Sequence, residues 1–235
     1  MPVTALVSGG KDSIYSAYLA DTQGRTVDEL VVVRPDDPES MLFHTPNLDL
    51  VALQAEAWGK SYRTVRVRGH GESAELDALA DAVGDGPGWV VAGAIESSYQ
   101  WARLLEVAGR AGRPVYTPLW RKDPGRVVRE EIAAGLDIRL VHLAAEPLGP
   151  ELLGRPVDLA LLGEIARRSA TVRRTHLAGE GGEYETVVLD APFFAARLEV
   201  DAAERVVSPS TSQWVIRKAH LRPKVPGGAA AEVLR

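Results

Sequence analysis

A short apolar run at residues 3–7 leads directly into a polar loop that contains two adjacent glycines. The loop consists of Ser8, Gly9, Gly10, Lys11, Asp12 and Ser13. Glycines after a strand let successive backbone N–H groups turn towards one point, and a helix that starts there adds its positive end. The residues after the loop place Ile14, Ala17 and Tyr18 on one helical face. The sequence therefore predicts a strand, an anion-binding turn and a helix.

The side chains of this loop suit phosphate and a metal ion bound to it. Ser8 and Ser13 supply hydroxyl donors, and Lys11 supplies a cation that we expect to face solvent. Asp12 would repel bare phosphate, so it indicates either a bridging Mg²⁺ or a helix cap.

The loop lacks the Gly-x4-Gly-Lys-Ser/Thr spacing of enzymes that cleave the γ-phosphate. A Gly-Lys-Ser run does occur at residues 59–61, but Gln54 stands where that spacing requires glycine. We interpret this run as an ordinary helix end.

Apolar strands and amphipathic helices alternate along the first 145 residues. The predicted strands after the loop are 29–33, 62–67, 89–92, 114–116 and 137–143, and the predicted helices are 49–58, 73–83, 98–109 and 126–134. Ser73 is predicted to cap the second of these helices. Such alternation predicts a Rossmann-like α/β fold, with one parallel sheet covered by helices on both faces. Gly93 follows the fourth strand, on the edge where open parallel sheets bind ligands, and we expect it to admit the adenosine of a nucleotide.

The pattern changes after residue 145. A proline- and glycine-containing segment at 146–150 predicts a hinge or loop, and a helix is predicted near 157–168. Three strands are predicted at 185–189, 196–200 and 214–221. We therefore predict a nucleotide-binding domain at 1–145, a smaller α+β substrate-binding domain at 146–222 and a flexible tail at 223–235.

Composition excludes several classes of function. The 235 residues are 46% apolar, which is enough for a core, and they include no cysteine, so disulfides, thiolate metal sites and cysteine nucleophiles are excluded. A net charge of −5 argues against bulk nucleic-acid binding. The N-terminal residues lack a basic leader, and the longest apolar stretch, 89–95, is too short to span a bilayer. We expect a cytoplasmic protein without a membrane partner, and a homo-oligomer stays open.

A second unusual segment, residues 179–186, reads Gly-Glu-Gly-Gly-Glu-Tyr-Glu-Thr. Its glycines allow uncommon backbone turns, and three carboxylates lie within six positions. Such a loop suits Mg²⁺, ammonium or a cationic group on a substrate. The alternative is a solvated acidic turn before a strand.

The loop at residues 8–13 resembles that of the PP-loop, or N-type ATP pyrophosphatase, superfamily, whose motif is Ser-Gly-Gly-x-Asp-Ser at the first strand-to-helix turn. Members of that superfamily cleave ATP between the α- and β-phosphates, adenylate a substrate and hold the departing pyrophosphate on this loop. The resemblance implies that ATP and Mg²⁺ are the cofactors and that the loop residues bind the nucleotide.

The chain as a whole resembles the diphthine–ammonia ligase family. The resemblance rests on residues 179–186 with the following Asp-Ala-Pro-Phe at 190–193, and on residues 41–47, 93–103 and 118–120. These segments run in family order from residue 5 to about residue 195. The resemblance implies a two-domain enzyme that amidates diphthine, a modified histidine of elongation factor 2, with ammonia and ATP.

The family reaction assigns roles to residues of this sequence. Lys11 and Asp12 are predicted to act in adenylation, and Glu183 or Glu185 to accept a proton from ammonia. The predicted substrate-binding residues are Tyr99, Gln100, Arg103, Trp120, Glu180, Gly181, Gly182 and Tyr184. Two of these have plain alternatives: Arg103 could pair with Glu106, and Trp120 could be core packing.

Two other functions stay open at this point. The same chemistry could act on a small carboxylate, such as a corrinoid in a bacterium. A nucleotide-binding regulator without turnover is the other alternative. Because there is no cysteine for a built-in glutaminase, the nitrogen must be free ammonia or come from a partner.

Overall fold

A parallel sheet of five strands forms the first half of the chain in the computed structural model, which describes residues 2–35, 47–85, 87–171 and 176–224. Along the sheet the strands are β3 (Ser61–Arg66), β2 (Glu29–Arg34), β1 (Val3–Leu6), β4 (Trp89–Val91) and β5 (Val115–Tyr116). Ala5 in the central strand is paired with Leu30 on one side and Val91 on the other. The strand order reverses at β1, so the loop after β1 lies at the switch point where such sheets bind ligands.

Helices cover both faces of this sheet, as the sequence predicts. They are α1 (Lys11–Thr22), α2 (Leu50–Trp58), α3 (Gly71–Val83) and α4 (Ser98–Arg110), whereas α5 (Pro124–Ala133) packs on α1. One core contains Ile14 of α1 and Val51 of α2 against Val32. Separate clusters on α3 and α4, which include Ala82 and Leu104, pack against other strand residues. The predicted α/β fold class is confirmed.

The second half of the chain contributes an antiparallel sheet of four strands. Its order is β7 (Tyr184–Asp190), β6 (Asp137–Leu143), β9 (Ser212–Pro223) and β8 (Ala196–Val207), with a 3-10 turn (Pro150–Leu152) and α6 (Leu159–Thr171) between β6 and β7. The prediction that residues 137–143 end the parallel series is wrong, because β6 pairs antiparallel with β7 and β9. A strand between two neighbours in a sheet is apolar on much of its length whichever sheet it joins, so its pattern does not reveal its partners.

Element ends differ from prediction where tertiary contacts decide them. Helix α3 begins at Gly71 with His70 as its N-cap residue, so the predicted cap at Ser73 is wrong. The β8–β9 hairpin is longer than predicted. Residues 201–207 of β8 are exposed and carry no alternating apolar pattern, so no signal in the sequence indicates that the strand continues. The domain division at residue 145 stays a prediction, whereas the two sheets divide between β5 and β6. Pro223 ends β9, and residues 225–235 of the predicted tail lie outside the described residues.

Aromatic side chains join the second sheet to the helices of the first. Phe193 stacks on Tyr18 with ring centroids 4.4 Å apart and lies 4.5 Å from the ring of Trp58.

Within the described ranges, no helix is long and apolar enough to cross a lipid bilayer.

Candidate active site

A cavity of about 210 Å³ opens at the carboxyl ends of β1 and β4. Its polar end is lined by Ser8, Gly10, Lys11, Asp12, Ser13, Glu180 and Glu185. Its apolar end is lined by Val31, Val33, Leu48, Leu79 and Leu104. An apolar end for a flat base and a donor-rich end for phosphates together fit a nucleotide.

The first turn of α1 forms the floor of the polar end. Gly10 is the N-cap residue of α1, so the positive end of that helix faces the cavity. The Ser8 N–H donates to Ser13 Oγ at 3.2 Å, and Ser13 Oγ donates to the Gly10 carbonyl at 3.1 Å. Gly9 has φ +80°, where a side chain would be strained. The loop therefore has the backbone shape that an anion site requires, and its binding of phosphate stays a prediction.

Residues of α2 and β7 hold the loop in place through hydrogen bonds. Gln54 is fully buried, and its Nε2 donates to the carbonyls of Gly9 at 2.9 Å and Val188 at 2.7 Å. The Val188 N–H also donates to the Gly9 carbonyl at 3.0 Å, and the Lys11 N–H donates to Thr186 Oγ1 at 3.1 Å. Sequence analysis noted Gln54 only for breaking a motif. The sequence signal that could have indicated its role in holding the loop was a glutamine at a core position of α2.

Lys11 is buried, so the prediction that it faces solvent is wrong. Its side chain is 1% exposed, and Nζ donates to Asp12 Oδ2 at 2.6 Å and to the Ala178 carbonyl at 2.7 Å. Nζ also lies 5.7 Å from the centre of the Tyr184 ring. Burial opposes the charge, but the carboxyls of Asp12 and Glu131 outweigh it and raise the pKa of Lys11. The ammonium group is therefore charged beneath the loop.

Glu131 on α5 belongs to the same cluster, and sequence analysis missed it. Its side chain is fully buried, and burial followed by the charge of Asp12 raises its pKa well above the usual range. Glu131 follows Val127 and Val128 at helical spacing. A carboxyl group at a core position of α5 could therefore have indicated from the sequence that Glu131 is buried.

The glutamates of residues 180–185 have three different environments. Glu180 accepts hydrogen bonds from the backbone N–H of Ile95 at 2.6 Å and from that of Glu96, which ties this loop to the one after β4. Glu183 accepts from the N–H groups of His176 at 3.0 Å and Gly181 at 2.9 Å, and so folds its own loop.

Glu185 lines the cavity. Its carboxylate lies 3.4 Å from Nδ1 of His142. The catalytic roles of Glu183 and Glu185 stay predictions, but the cavity wall contains Glu185 and not Glu183.

Two of the predicted site residues, Gly93 and Tyr184, contribute to the packing of the site. A Cβ at Gly93 would lie 2.7 Å from both the Asp12 carbonyl carbon and the Ser13 nitrogen, so only glycine lets the loop after β4 approach α1 this closely. The Tyr184 ring is buried below the cavity, and its hydroxyl donates to the Leu177 carbonyl at 2.5 Å. Burial raises the pKa of Tyr184, which keeps its hydroxyl protonated. Adenosine contact by Gly93 and substrate contact by Tyr184, Gly181 and Gly182 stay predictions.

The residues predicted on and after α4 divide into two groups. Gln100 lines the cavity, whereas Arg103 forms ion pairs with Glu72 and Glu106 and lies over the ring of Tyr99. The alternative of a Glu106 pair is therefore what the structure shows.

Trp120 stacks on Trp101 with ring centroids 4.7 Å apart, and the guanidinium of Arg121 lies 5.6 Å from its ring. Arg121 adopts φ +58°, a strained backbone for a residue other than glycine. Substrate contact by Trp120, Tyr99 and Arg103 stays a prediction.

A metal site is not evident from protein groups alone. In the part of the chain that the structure describes, no three His, Asp or Glu side chains cluster to hold an ion. One oxygen of Asp12 binds Lys11, so its predicted role as a Mg²⁺ ligand stays a prediction. Of the segment 41–47 that carried part of the resemblance, residues 41–46 lie outside the described residues. Asn47 accepts a hydrogen bond from Ile216 N–H at 2.9 Å and donates to the Trp214 carbonyl at 3.1 Å.

Comparison with known proteins confirms the resemblance found in the sequence. Residues 1–113 match the model of the diphthamide synthase N-terminal domain, and residues 123–221 match that of the C-terminal domain. Three curated proteins named diphthine–ammonia ligase are similar along most of the chain: those of Rattus norvegicus (31% identical, 88% of this chain and 85% of the relative), Danio rerio (32%, 88% and 89%) and Homo sapiens (30%, 88% and 85%). The chain therefore belongs to the diphthamide synthase family.

Proposed function

We propose that this protein is an ATP-dependent ligase that adenylates a carboxylate and then amidates it with ammonia, releasing AMP and pyrophosphate. We further propose that the carboxylate belongs to diphthine, which the names of its relatives give, and that this diphthine is carried by elongation factor 2. The observation that carries the proposal is a single cavity lined both by the loop at residues 8–13 and by Glu180 and Glu185.

ATP supplies the α-phosphorus that accepts the substrate carboxylate and the pyrophosphate that leaves. The N–H groups at the start of α1 and the hydroxyls of Ser8 and Ser13 are placed to hold the β- and γ-phosphates. Lys11, charged beneath the loop, lowers the energy of negative charge as it develops on the leaving oxygen. Mg²⁺ would enter with the phosphates, since this ion usually keeps phosphate and water ligands.

The second step needs a proton acceptor beside the attacking nitrogen. When ammonia adds to the activated carbonyl carbon, the C–N bond forms, the bond to the AMP oxygen breaks and one proton leaves the nitrogen. We propose Glu185 for this proton, because Glu185 is a lining residue of the cavity whereas Glu183 is not and accepts two backbone hydrogen bonds.

The test incubates the protein with ATP, Mg²⁺, ammonium and elongation factor 2 that carries diphthine. AMP and the mass change for replacing hydroxyl by amine on the factor support the proposal. AMP formed only with a small acid would assign a small-molecule acceptor instead. The absence of AMP under all conditions would indicate a nucleotide-binding regulator, and ADP with orthophosphate would refute adenylation.

A pair of variants tests the assignment of the proton acceptor. Glu185→Gln should still release pyrophosphate but form amide about 10²-fold more slowly, the range for removal of a general base. Glu183→Gln, the matched control, should change amide formation less than Glu185→Gln does. The reverse order would assign the proton to Glu183.

A further inference from the structure

A histidine on β6 lies beside Glu185, and the reaction proposed above gives it no part. Nδ1 of His142 is 3.4 Å from Oε1 of Glu185, and both side chains are 17% exposed. The two ring nitrogens of His142 are buried, and neither has a hydrogen-bond partner among the described residues. A buried N–H without an acceptor destabilises a fold, and the Glu185 carboxylate is an acceptor that a small rotation of the ring would bring into line.

A bulge in β6 places this ring opposite Glu185. Leu140 pairs with Thr186 and His142 pairs with Glu185, so β6 uses two residues where β7 uses one. In a regular ladder Val141 would pair with Glu185, and no side-chain nitrogen would lie beside the carboxylate. Bulges of this kind occur next to active sites, where they re-aim a side chain. The irregularity in β6 therefore brings a histidine to the residue that we assign as the proton acceptor.

The backbone on both sides of Glu185 is held by other contacts. Thr186 Oγ1 accepts a hydrogen bond from the Lys11 N–H at 3.1 Å, and Tyr184 pairs with Leu143 of β6. A carboxylate on a fixed backbone can still rotate about its side-chain bonds. A proton acceptor works well only when it is held in a productive orientation, and a hydrogen bond from a neighbouring side chain supplies that restraint.

We propose that His142 is a positioning residue for Glu185, and that its Nδ1–H donates to the Glu185 carboxylate and holds it in one orientation beside the cavity. The proton that leaves the attacking nitrogen ends on Glu185, and the imidazole keeps its own proton throughout. His142 is not a lining residue of the cavity, so it acts through Glu185. The inference deepens the proposed function and rests on the proposal that Glu185 accepts the proton.

Three substitutions of His142 differ in where they place a donor. His142→Asn puts an amide nitrogen near the position of Nδ1, His142→Gln puts one near that of Nε2, and His142→Phe keeps a ring without a donor. We expect amide formation within about threefold of wild type for the Asn variant and at least roughly tenfold slower for the other two, the effect of one hydrogen bond to a charged group. His220→Asn, on β9 and paired with Glu199 and Asp201, is the matched control and should react at the wild-type rate.

The two steps of the reaction separate positioning from a merely structural role. Exchange of pyrophosphate into ATP, measured with the acceptor but without ammonium, reports adenylation, in which we give Glu185 no part. It should be unchanged in all three variants, whereas a damaged fold would slow exchange and amide formation together. Exchange that falls in parallel with amide formation overturns the proposal. A Phe variant that amidates at the wild-type rate overturns it as well, and so does an Asn variant as slow as Phe.

Nuclear magnetic resonance of the folded protein tests the contact without any reaction. Long-range proton–nitrogen correlation spectra distinguish a protonated ring nitrogen from a bare one, and the signals of His142 are those absent from His142→Asn. A proton on Nδ1 supports the proposal, and a bare Nδ1 overturns it even if the protein forms amide. If the wild type shows neither exchange nor AMP, the proposed function fails, and the spectrum still decides whether His142 donates to Glu185.

Discussion

Replacing Lys11 should unfold the protein more easily as well as stop its chemistry. Lys11→Ala removes an ammonium that is 1% exposed and leaves the Asp12 carboxylate and the Ala178 carbonyl without their donor. Removal of one partner from a buried ion pair costs about 3–5 kcal/mol. Because the Asp12 side chain is 28% exposed and water can reach it, we expect a cost at or below the lower end of that range, about 2–3 kcal/mol.

The expected loss is large enough to measure by thermal unfolding. For a chain of this size, about 2–3 kcal/mol corresponds to a fall in melting temperature of roughly 4–12 °C. Circular dichroism without nucleotide gives the melting temperature, and the same samples assayed for AMP give the activity, which should be lost.

A second substitution identifies the cause of the lost stability. In Lys11→Ala with Asp12→Asn the orphaned charge is gone, so part of the stability should return while activity does not. A Lys11→Ala protein with the melting temperature of the wild type would refute the reasoning, because it would mean that the buried ammonium contributes nothing to the stability of the fold.

Three further substitutions test other contacts of the site. Gly93→Ala should weaken ATP binding at least tenfold, since its Cβ would lie 2.7 Å from the backbone of α1. Calorimetry measures the affinity, with Gly109→Ala as the control because a Cβ there has no neighbouring atom within 4 Å. Equal affinities of the two variants would contradict the prediction. Glu180→Ala should speed amide hydrogen exchange at Ile95, whose N–H loses its acceptor, and unchanged exchange would show that the bond does not persist in solution. Arg121→Gly should raise the melting temperature by roughly 2–4 °C, because it releases about 1 kcal/mol of backbone strain, and a lower value would mean that the arginine side chain contributes more than the strain costs.

Much of the first sheet could be predicted because its signals are local. The run at residues 3–7, the glycines of the loop and the alternation of strand with helix each depend on neighbours in sequence. Strand β6 was assigned to the wrong sheet because its apolar pattern reports burial, whereas its partners are β7 and β9, which lie far along the chain. The same limitation hid the length of β8, whose outer residues pair with β9 and contact no core.

The site divides in the same way. The loop at residues 8–13 could be located from a motif, but the burial of Lys11 could not, because Ala178 and Tyr184 close the space that the lysine fills. Glu131 and Gln54 were missed for a related reason. Each is a polar residue on a helix face that faces the core, and its partner comes from another part of the chain.

The Gly9 carbonyl accepts one hydrogen bond from α2 and one from β7, so the phosphate loop takes its shape from both halves of the protein. A fragment limited to the first half would keep the motif but lose the Val188 and Thr186 groups that bond to it, and we expect such a fragment to bind nucleotide poorly. Changes at Val188 can therefore alter affinity for ATP from beneath the loop, without any contact with the ligand. We therefore expect nucleotide recognition to depend on both halves of the protein and not on the motif at residues 8–13 alone.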